Sequence, residues 1–206
     1  MKNIAVFASG EGTNFKSIHR HVQLGEIPGY IVLAVSNNPS SGAVKYAEKN
    51  QISTLIINNV RYKNSVNTEE MIIQQLIEND VDLICLAGYM KLLPQRIVQE
   101  YKDRILNIHP ALLPKFGGKG FYGMKVHEAV IASGSGESGV TVHIVDEEYD
   151  HGKIIAQKKI HVRLGDTAEI LAERILKVEH ELYPEVVKAF CEDRILWENN
   201  YPKIKG

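Results

Sequence analysis

Along the first half of the chain, short apolar runs alternate with amphipathic stretches. I-A-V-F-A (4–8) reads as a buried strand, and a Gly-rich turn leads from it into a helix from about Asn14 to Leu24. Y-I-V-L-A-V-S (30–36) is a second strand, followed by a helix over G-A-V-K-Y-A-E-K-N. S-T-L-I-I (53–57) is a third strand. T-E-E-M-I-I-Q-Q-L-I-E-N (68–79) is a helix for which Thr68 supplies an N-cap. V-D-L-I-C-L-A-G (81–88) is a fourth strand, L-P-Q-R-I-V-Q-E-Y a short helix, and R-I-L-N-I-H a fifth strand. This β-α-β rhythm predicts a doubly wound parallel sheet with right-handed crossovers, whose ligands bind at the carboxyl ends of the strands.

After residue 110 the rhythm changes. P-K-F-G-G-K-G-F-Y-G-M-K holds four glycines and reads as a surface loop, followed by a short helix over about 126–133. S-G-V-T-V-H-I-V and G-K-I-I-A-Q-K-K-I-H-V alternate like two strands joined by D-E-E-Y-D-H. They predict an antiparallel hairpin. T-A-E-I-L-A-E-R-I-L-K-V-E-H-E-L-Y-P-E-V-V-K-A-F-C-E-D is a long amphipathic helix with a bend expected at Pro184. No repeat, linker or low-complexity tract divides the chain, so residues 1–206 read as one α/β domain.

Composition narrows the class. Of 206 residues, 44% are hydrophobic and 24% charged, which suits a soluble core, and the formal net charge of −1 argues against nucleic acid or an anionic membrane as main partner. The two cysteines, Cys85 and Cys191, form no C-x-x-C and read as thiols of a reducing compartment. The N-terminal apolar run is too short for a signal peptide, and no segment reaches the ~18 apolar residues of a membrane span. A cytoplasmic protein is expected.

Three stretches carry candidate chemistry. S-G-E-G-T-N (9–14) joins the first strand to the first helix, where glycines admit close backbone approach and free N–H groups favour an anion. The dinucleotide pattern G-x-G-x-x-G fails, because position 15 is Phe, and the G-x-x-x-x-G-K-[ST] loop fails as well. A turn of this kind needs Gly in any case, so its structural reading stays open. At the end of the fifth strand, Asn107 and His109 stand at i and i+2 and so share a face, and Pro110 fixes the exit. His19, His21, His127, His161 and His180 lie on helices or strand edges with no obvious partner. In D-E-E-Y-D-H-G (146–152), most carboxylates read as a solvated turn, while Asp150 is a candidate partner for His109 that would raise its pKa and orient it.

Taken together, S-G-E-G-T-N, L-A-G-Y-M-K-L-L, N-I-H-P-A-L-L-P-K-F and the D-H-G of the late hairpin resemble the folate-dependent formyltransferases, in particular the glycinamide ribonucleotide branch, over essentially the whole chain. The resemblance implies a Rossmann-like fold and formyl transfer from 10-formyltetrahydrofolate to the glycinamide amine of glycinamide ribonucleotide, with no metal. It implies that Asn107, His109 and Asp150 are catalytic. Asn107 and a protonated His109 would donate to the oxyanion, and Asp150 would keep the imidazole charged. It further implies that Gly12, Thr13 and Asn14 hold the ribose phosphate, that Pro110 and Glu179 contact the nucleotide, and that Met90, Lys91, Leu92 and Leu93 line a folate pocket with the backbone of Asp146, Glu147, Glu148, Tyr149 and Asp150. Met90, Leu92 and Leu93 read equally as core. Lys91 stands where arginine is common in the family. Asn64 stands where an arginine often meets the folate tail, with Arg61 or Lys63 as substitutes, and Leu176 replaces a polar residue. Methionyl-tRNA formyltransferases, sugar-nucleotide formyltransferases and formyltetrahydrofolate hydrolases share the core motif, and a nucleotide-binding module without chemistry is the reading outside the class. The oligomeric state, monomer or homodimer, is left open.

Overall fold

The computed structural model describes residues 1–58 and 65–205. Asn64, Arg61 and Lys63, expected near a folate tail, lie outside the described residues. The elements are β1 (Lys2–Phe7), α1 (Thr13–Gln23), β2 (Gly29–Ser36), α2 (Gly42–Lys49), β3 (Ser53–Ile56), α3 (Ser65–Glu78), β4 (Leu83–Leu86), α4 (Gln95–Glu100) and β5 (Ile105–His109). They continue with α5 (Met124–Ala132), β6 (Glu137–Ile144), β7 (Ile154–His161), α6 (Ala168–Cys191), β8 (Ile195–Glu198) and β9 (Tyr201–Ile204). A seven-stranded sheet has the order β3-β2-β1-β4-β5-β6-β7, and β8-β9 form a second, two-stranded sheet. The order reverses direction across β1, as the β-α-β rhythm requires. By contacts the chain groups into two compact units, Met1–Leu106 and Asn107–Gly206.

In the first unit β1 pairs in parallel with both β2 and β4, and β2 with β3. Flanked on both edges and covered on both faces, β1 has no use for alternation. Ile4, Ala5, Val6 and Phe7 are all buried, which is why the strand reads as a continuous apolar run. Helix α1 buries Phe15, Ile18 and His19, one stripe at i, i+3 and i+4. Ser41 caps α2 by accepting the Val44 N–H at 3.2 Å. Helix α3 starts at Ser65, so Thr68 lies inside its first turn and does not cap it. Propensity placed that helix correctly, but a cap-competent residue also sits inside first turns without strain.

In the second unit β6 and β7 are antiparallel, as the alternation predicts. Thr167 caps α6, accepting the Ile170 N–H at 3.3 Å. The helix runs unbroken through Pro184 and buries Leu171, Ile175, Leu182, Tyr183, Val186 and Val187. Glu179 is 8% exposed within that apolar stripe. The hairpin β8–β9 has no counterpart in the expected elements. Its two turn residues, Asn199 and Asn200, have φ of 49° and 66°, the left-handed pair of a type I′ hairpin turn that Asn tolerates. The Asn-Asn pair was its signal. No described helix is long and apolar enough to cross a membrane.

Candidate active site

The loop after β1 is built by its glycines. Gly12 has φ 68° and is the N-cap of α1, with no side chain capping the first N–H groups. A Cβ there would lie 2.8 Å from that of Ala43, so Gly12 permits both the turn and the close approach of α2. Its missing side chain therefore faces α2. The Gly10 carbonyl accepts the Ala43 N–H at 3.1 Å, and Ser9 Oγ accepts the Met90 N–H at 2.9 Å while donating to Asn37 at 2.6 Å. These bonds fix the loop against the segment after β4. Asn14 is 7% exposed, and its Oδ1 has no hydrogen-bond partner. A buried, unsatisfied amide oxygen beside uncapped helix N–H groups is an unusual cost, and a polar ligand at this spot relieves it. Beyond β4, Met90 and Leu92 are 47% and 46% exposed, Lys91 is exposed, and Leu93 alone is buried. The core reading holds for Leu93 and fails for the other two apolar residues.

The second cluster lies in the Asn107–Gly206 unit. Asn107 and His109 do share a face of β5: Asn107 Nδ2 lies 3.2 Å from Asp150 Oδ1, and His109 Nδ1 lies 3.5 Å from Asp150 Oδ2. His143 completes the group. Its Nδ1 is 2.8 Å from the Ile144 carbonyl and so carries hydrogen. Its Nε2 therefore accepts, from Asn107 Nδ2 at 3.0 Å. Turning the amide over would set Asn107 Oδ1 against a carboxylate. The network thus assigns both Asn107 N–H groups, one to His143 and one to Asp150. Sequence reading passed over His143, although a lone His in V-T-V-H-I-V, in phase with Thr141, is the available signal.

Close backbone packing holds this cluster. Asp150 has φ 54°, a left-handed conformation that Asp adopts more readily than most residues. Its Oδ2 accepts the Gly118 N–H at 3.0 Å. A Cβ on Gly117 would lie 2.3 Å from Leu113 Cδ2 and 3.2 Å from Asp150 Cβ, and one on Gly152 would lie 1.8 Å from the Ile144 oxygen. Gly117 and Gly152 are therefore steric requirements of the site, while Gly118 is set by its φ of 91°. Thr141 Oγ donates to the Ala111 carbonyl at 2.6 Å and accepts the Leu113 N–H at 3.1 Å. Gln157 Nε2 donates to Leu113 O and to Thr141 Oγ, clamping the strand exit after Pro110. Asp146 accepts from Glu148 N–H at 3.0 Å and pairs with exposed His151 at 2.7 Å, closing the loop that carries the exposed Glu147 and Tyr149.

The charge state of His109 departs from expectation. Burial pushes its pKa below the usual value, and the pull of Asp150 and of the Phe116 carbonyl only partly offsets this. The imidazole is therefore neutral near pH 7 in the unliganded protein, and Asp150 does not keep it charged. His109 Nε2 donates to the Phe116 carbonyl at 2.8 Å. For Asp150, burial alone would push the carboxyl up. His143 and His109, in the states in which they carry a second proton, and the Gly118 N–H together outweigh burial and leave it below the ordinary range, so it is ionised.

Two of the histidines expected to lack partners have them: His19 Nδ1 meets the Tyr46 hydroxyl at 2.9 Å, and His21 Nδ1 meets the Ser17 carbonyl at 2.8 Å. His127 on α5 is the opposite case. It is 6% exposed, its Nδ1 has no partner, and burial, aided by His109, pushes its pKa down to about 4. Because His127 folds neutral, the unfolded chain binds its proton more readily from pH 6.5 down to about 4, and stability falls with pH across that window. His127→Gln should make that fall shallower in urea titrations at successive pH values. An unchanged slope overturns the assignment.

A formyl transferase family model matches residues 2–187 of this sequence. The chain belongs to the formyl transferase family. Among relatives of this formyl transferase, a chloroplastic phosphoribosylglycinamide formyltransferase of Arabidopsis thaliana is 48% identical, over 100% of this chain and 71% of that protein. The phosphoribosylglycinamide formyltransferase of Haemophilus influenzae is 36% identical, over 100% of this chain and 95% of the relative. In structure the chain is similar to glycinamide ribonucleotide transformylase 1 from Symbiobacterium toebii, with a TM-score of 0.92 and 34% identity over 100% of this chain and 95% of that one.

Proposed function

We propose that this formyl transferase moves the formyl group of 10-formyltetrahydrofolate onto the amine of 5′-phosphoribosylglycinamide, a step of purine synthesis. The names of its relatives support formyl transfer and the phosphoribosylglycinamide acceptor, and the resemblance of its motifs to the folate-dependent formyltransferases supports the donor. The observation that carries the chemistry is the convergence of Asn107, His109 and ionised Asp150 at the end of β5. The amine attacks the formyl carbon, and the carbonyl oxygen becomes an oxyanion. Asn107 is the donor to that oxygen, redirecting the N–H that it gives Asp150 through a long 3.2 Å bond. His109 enters neutral with its one hydrogen on Nε2; once that hydrogen has passed to Nδ1, which faces Asp150 Oδ2, the bare Nε2 takes the proton that the attacking amine must lose and returns it to the departing folate nitrogen. Asp150 stabilises the imidazolium that forms between those transfers. To reach a reacting group, His109 Nε2 has to leave the Phe116 carbonyl.

Uncapped N–H groups at the start of α1, with Gly12, Thr13 and Asn14, are assigned to the ribose phosphate, and buried Glu179 to the glycinamide end. Pro110 shapes the nucleotide side. Met90, Lys91, Leu92, Leu93 and the backbone of residues 146–150 are assigned to the folate, and the cytoplasm or a plastid stroma is the compartment. The deciding assay offers 10-formyltetrahydrofolate with three acceptors: phosphoribosylglycinamide, an amino-sugar nucleotide and water. Turnover with phosphoribosylglycinamide should dominate. Preference for water makes the protein a hydrolase, and no turnover with any acceptor defeats the enzyme reading. Thr13→Val, which keeps shape and removes one donor to a charged group, should raise KM for the nucleotide about 10-fold and leave KM for the folate unchanged. Equal weakening of both substrates removes the phosphate assignment.

A further inference from the structure

Phe116, whose carbonyl meets His109, borders a cavity of about 260 Å³ that is also lined by Leu112, Lys115 and the segment from Ser135 to Ser138. Three features set it apart from a packing gap. Ser138 is 2% exposed, and its hydroxyl has no hydrogen-bond partner, so a polar group is buried at this wall unsatisfied. Lys115 is exposed at the rim and forms no ion pair among the described residues, whereas Glu137 is already paired with Lys159 at 3.5 Å. Phe116 has φ 57°, a conformation costly for a bulky side chain, and its carbonyl is the group that holds His109 Nε2 at 2.8 Å. One strained residue thus borders the cavity and fastens the histidine.

We propose that this cavity binds a small aromatic carboxylate, its ring against Leu112 and Phe116 and its carboxylate between Lys115 and the Ser138 hydroxyl, and that occupancy holds His109 on the Phe116 carbonyl. The volume exceeds that of a cavity known to hold a single benzene, about 150 Å³, and so admits one ring with a short acidic arm. The unpaired cation and the unsatisfied hydroxyl together select an anion over a neutral ring. A ligand packed on Phe116 in its present conformation favours the fastened state over any state with the carbonyl turned away, and so slows turnover by the differential affinity alone. That last consequence rests on the role given to His109. The binding and the fastening do not.

The test is a titration of the full chain with phenylacetate and with phenylacetamide, followed by NMR of the backbone amides and the histidine rings without substrate. Phenylacetate should shift the amides of Leu112, Phe116 and Ser138 and the His109 ring signals, and phenylacetamide should bind more weakly. Lys115→Gln should weaken phenylacetate about 2- to 5-fold and leave phenylacetamide unchanged. Ser138→Ala, a small change in a residue outside the catalytic group, should weaken both about 5-fold. Shifts confined to other parts of the chain, or an affinity indifferent to both substitutions, overturn the site. Binding at these residues with unmoved His109 signals overturns the coupling. If coupling holds but phenylacetate leaves turnover untouched, the role of His109 is at fault and the site stands.

Discussion

Replacing Asn107 with Asp should lower kcat by about 10³-fold, the upper end of the usual cost of losing one oxyanion donor. The structure gives the reason. Asn107 Nδ2 gives its hydrogens to His143 Nε2 and to Asp150 Oδ1, at 3.0 and 3.2 Å. A carboxylate in its place would face the ionised Asp150 across that short gap, and two such groups cannot both hold a charge. One takes up a proton and its pKa rises steeply, so the acid limb of the kcat–pH profile should move upward as well. Steady-state kinetics across pH 5 to 9 give both quantities. A kcat within a few-fold of the starting protein, with an unmoved profile, would make Asn107 a spacer between His143 and Asp150 and nothing more.

Asp150→Asn should cut kcat about 10²-fold with smaller changes in KM. Its carboxylate does three things at once: it accepts from Asn107, accepts from the Gly118 N–H, and faces His109 Nδ1. An amide can accept at only one end, so one donor is left facing another. The His109 pKa, already held below its usual value by burial, loses the Asp150 pull that partly offset it and should fall further. Because the two residues act on one proton, Asp150→Asn added to His109→Ala should cost little beyond His109→Ala alone. A kinetic double-mutant cycle with NMR titration of His109 measures both. Fully multiplicative losses with an unmoved histidine pKa would falsify the coupling.

What the sequence made legible follows from range. The β-α-β order, the antiparallel β6–β7 pair and the shared face of Asn107 and His109 are local patterns, written in neighbouring residues. Glu179 could be seen as a carboxylate inside an apolar helical stripe. The position of His143 beside Asn107 joins residues 36 apart, and the Phe116 carbonyl belongs to backbone that carries no residue signal at all. Thr68 shows the limit of caps: the residue type is right, and the helix begins three residues earlier. The sign of the His109 shift was unreadable for a different reason. Proximity to Asp150 could be guessed, but the competing term is desolvation, which depends on everything packed around the ring.

The place of Asn107 between two titratable neighbours has one more consequence. A carboxamide neither gains nor loses a proton in the accessible pH range, so it transmits orientation and nothing else. The Ile144 carbonyl sets the His143 ring, the ring sets the Asn107 amide, and the amide sets one oxygen of Asp150, which also lies 3.7 Å from His143 Nε2. Orientation thus passes from the β6 backbone to the carboxylate along a chain whose middle link is indifferent to pH.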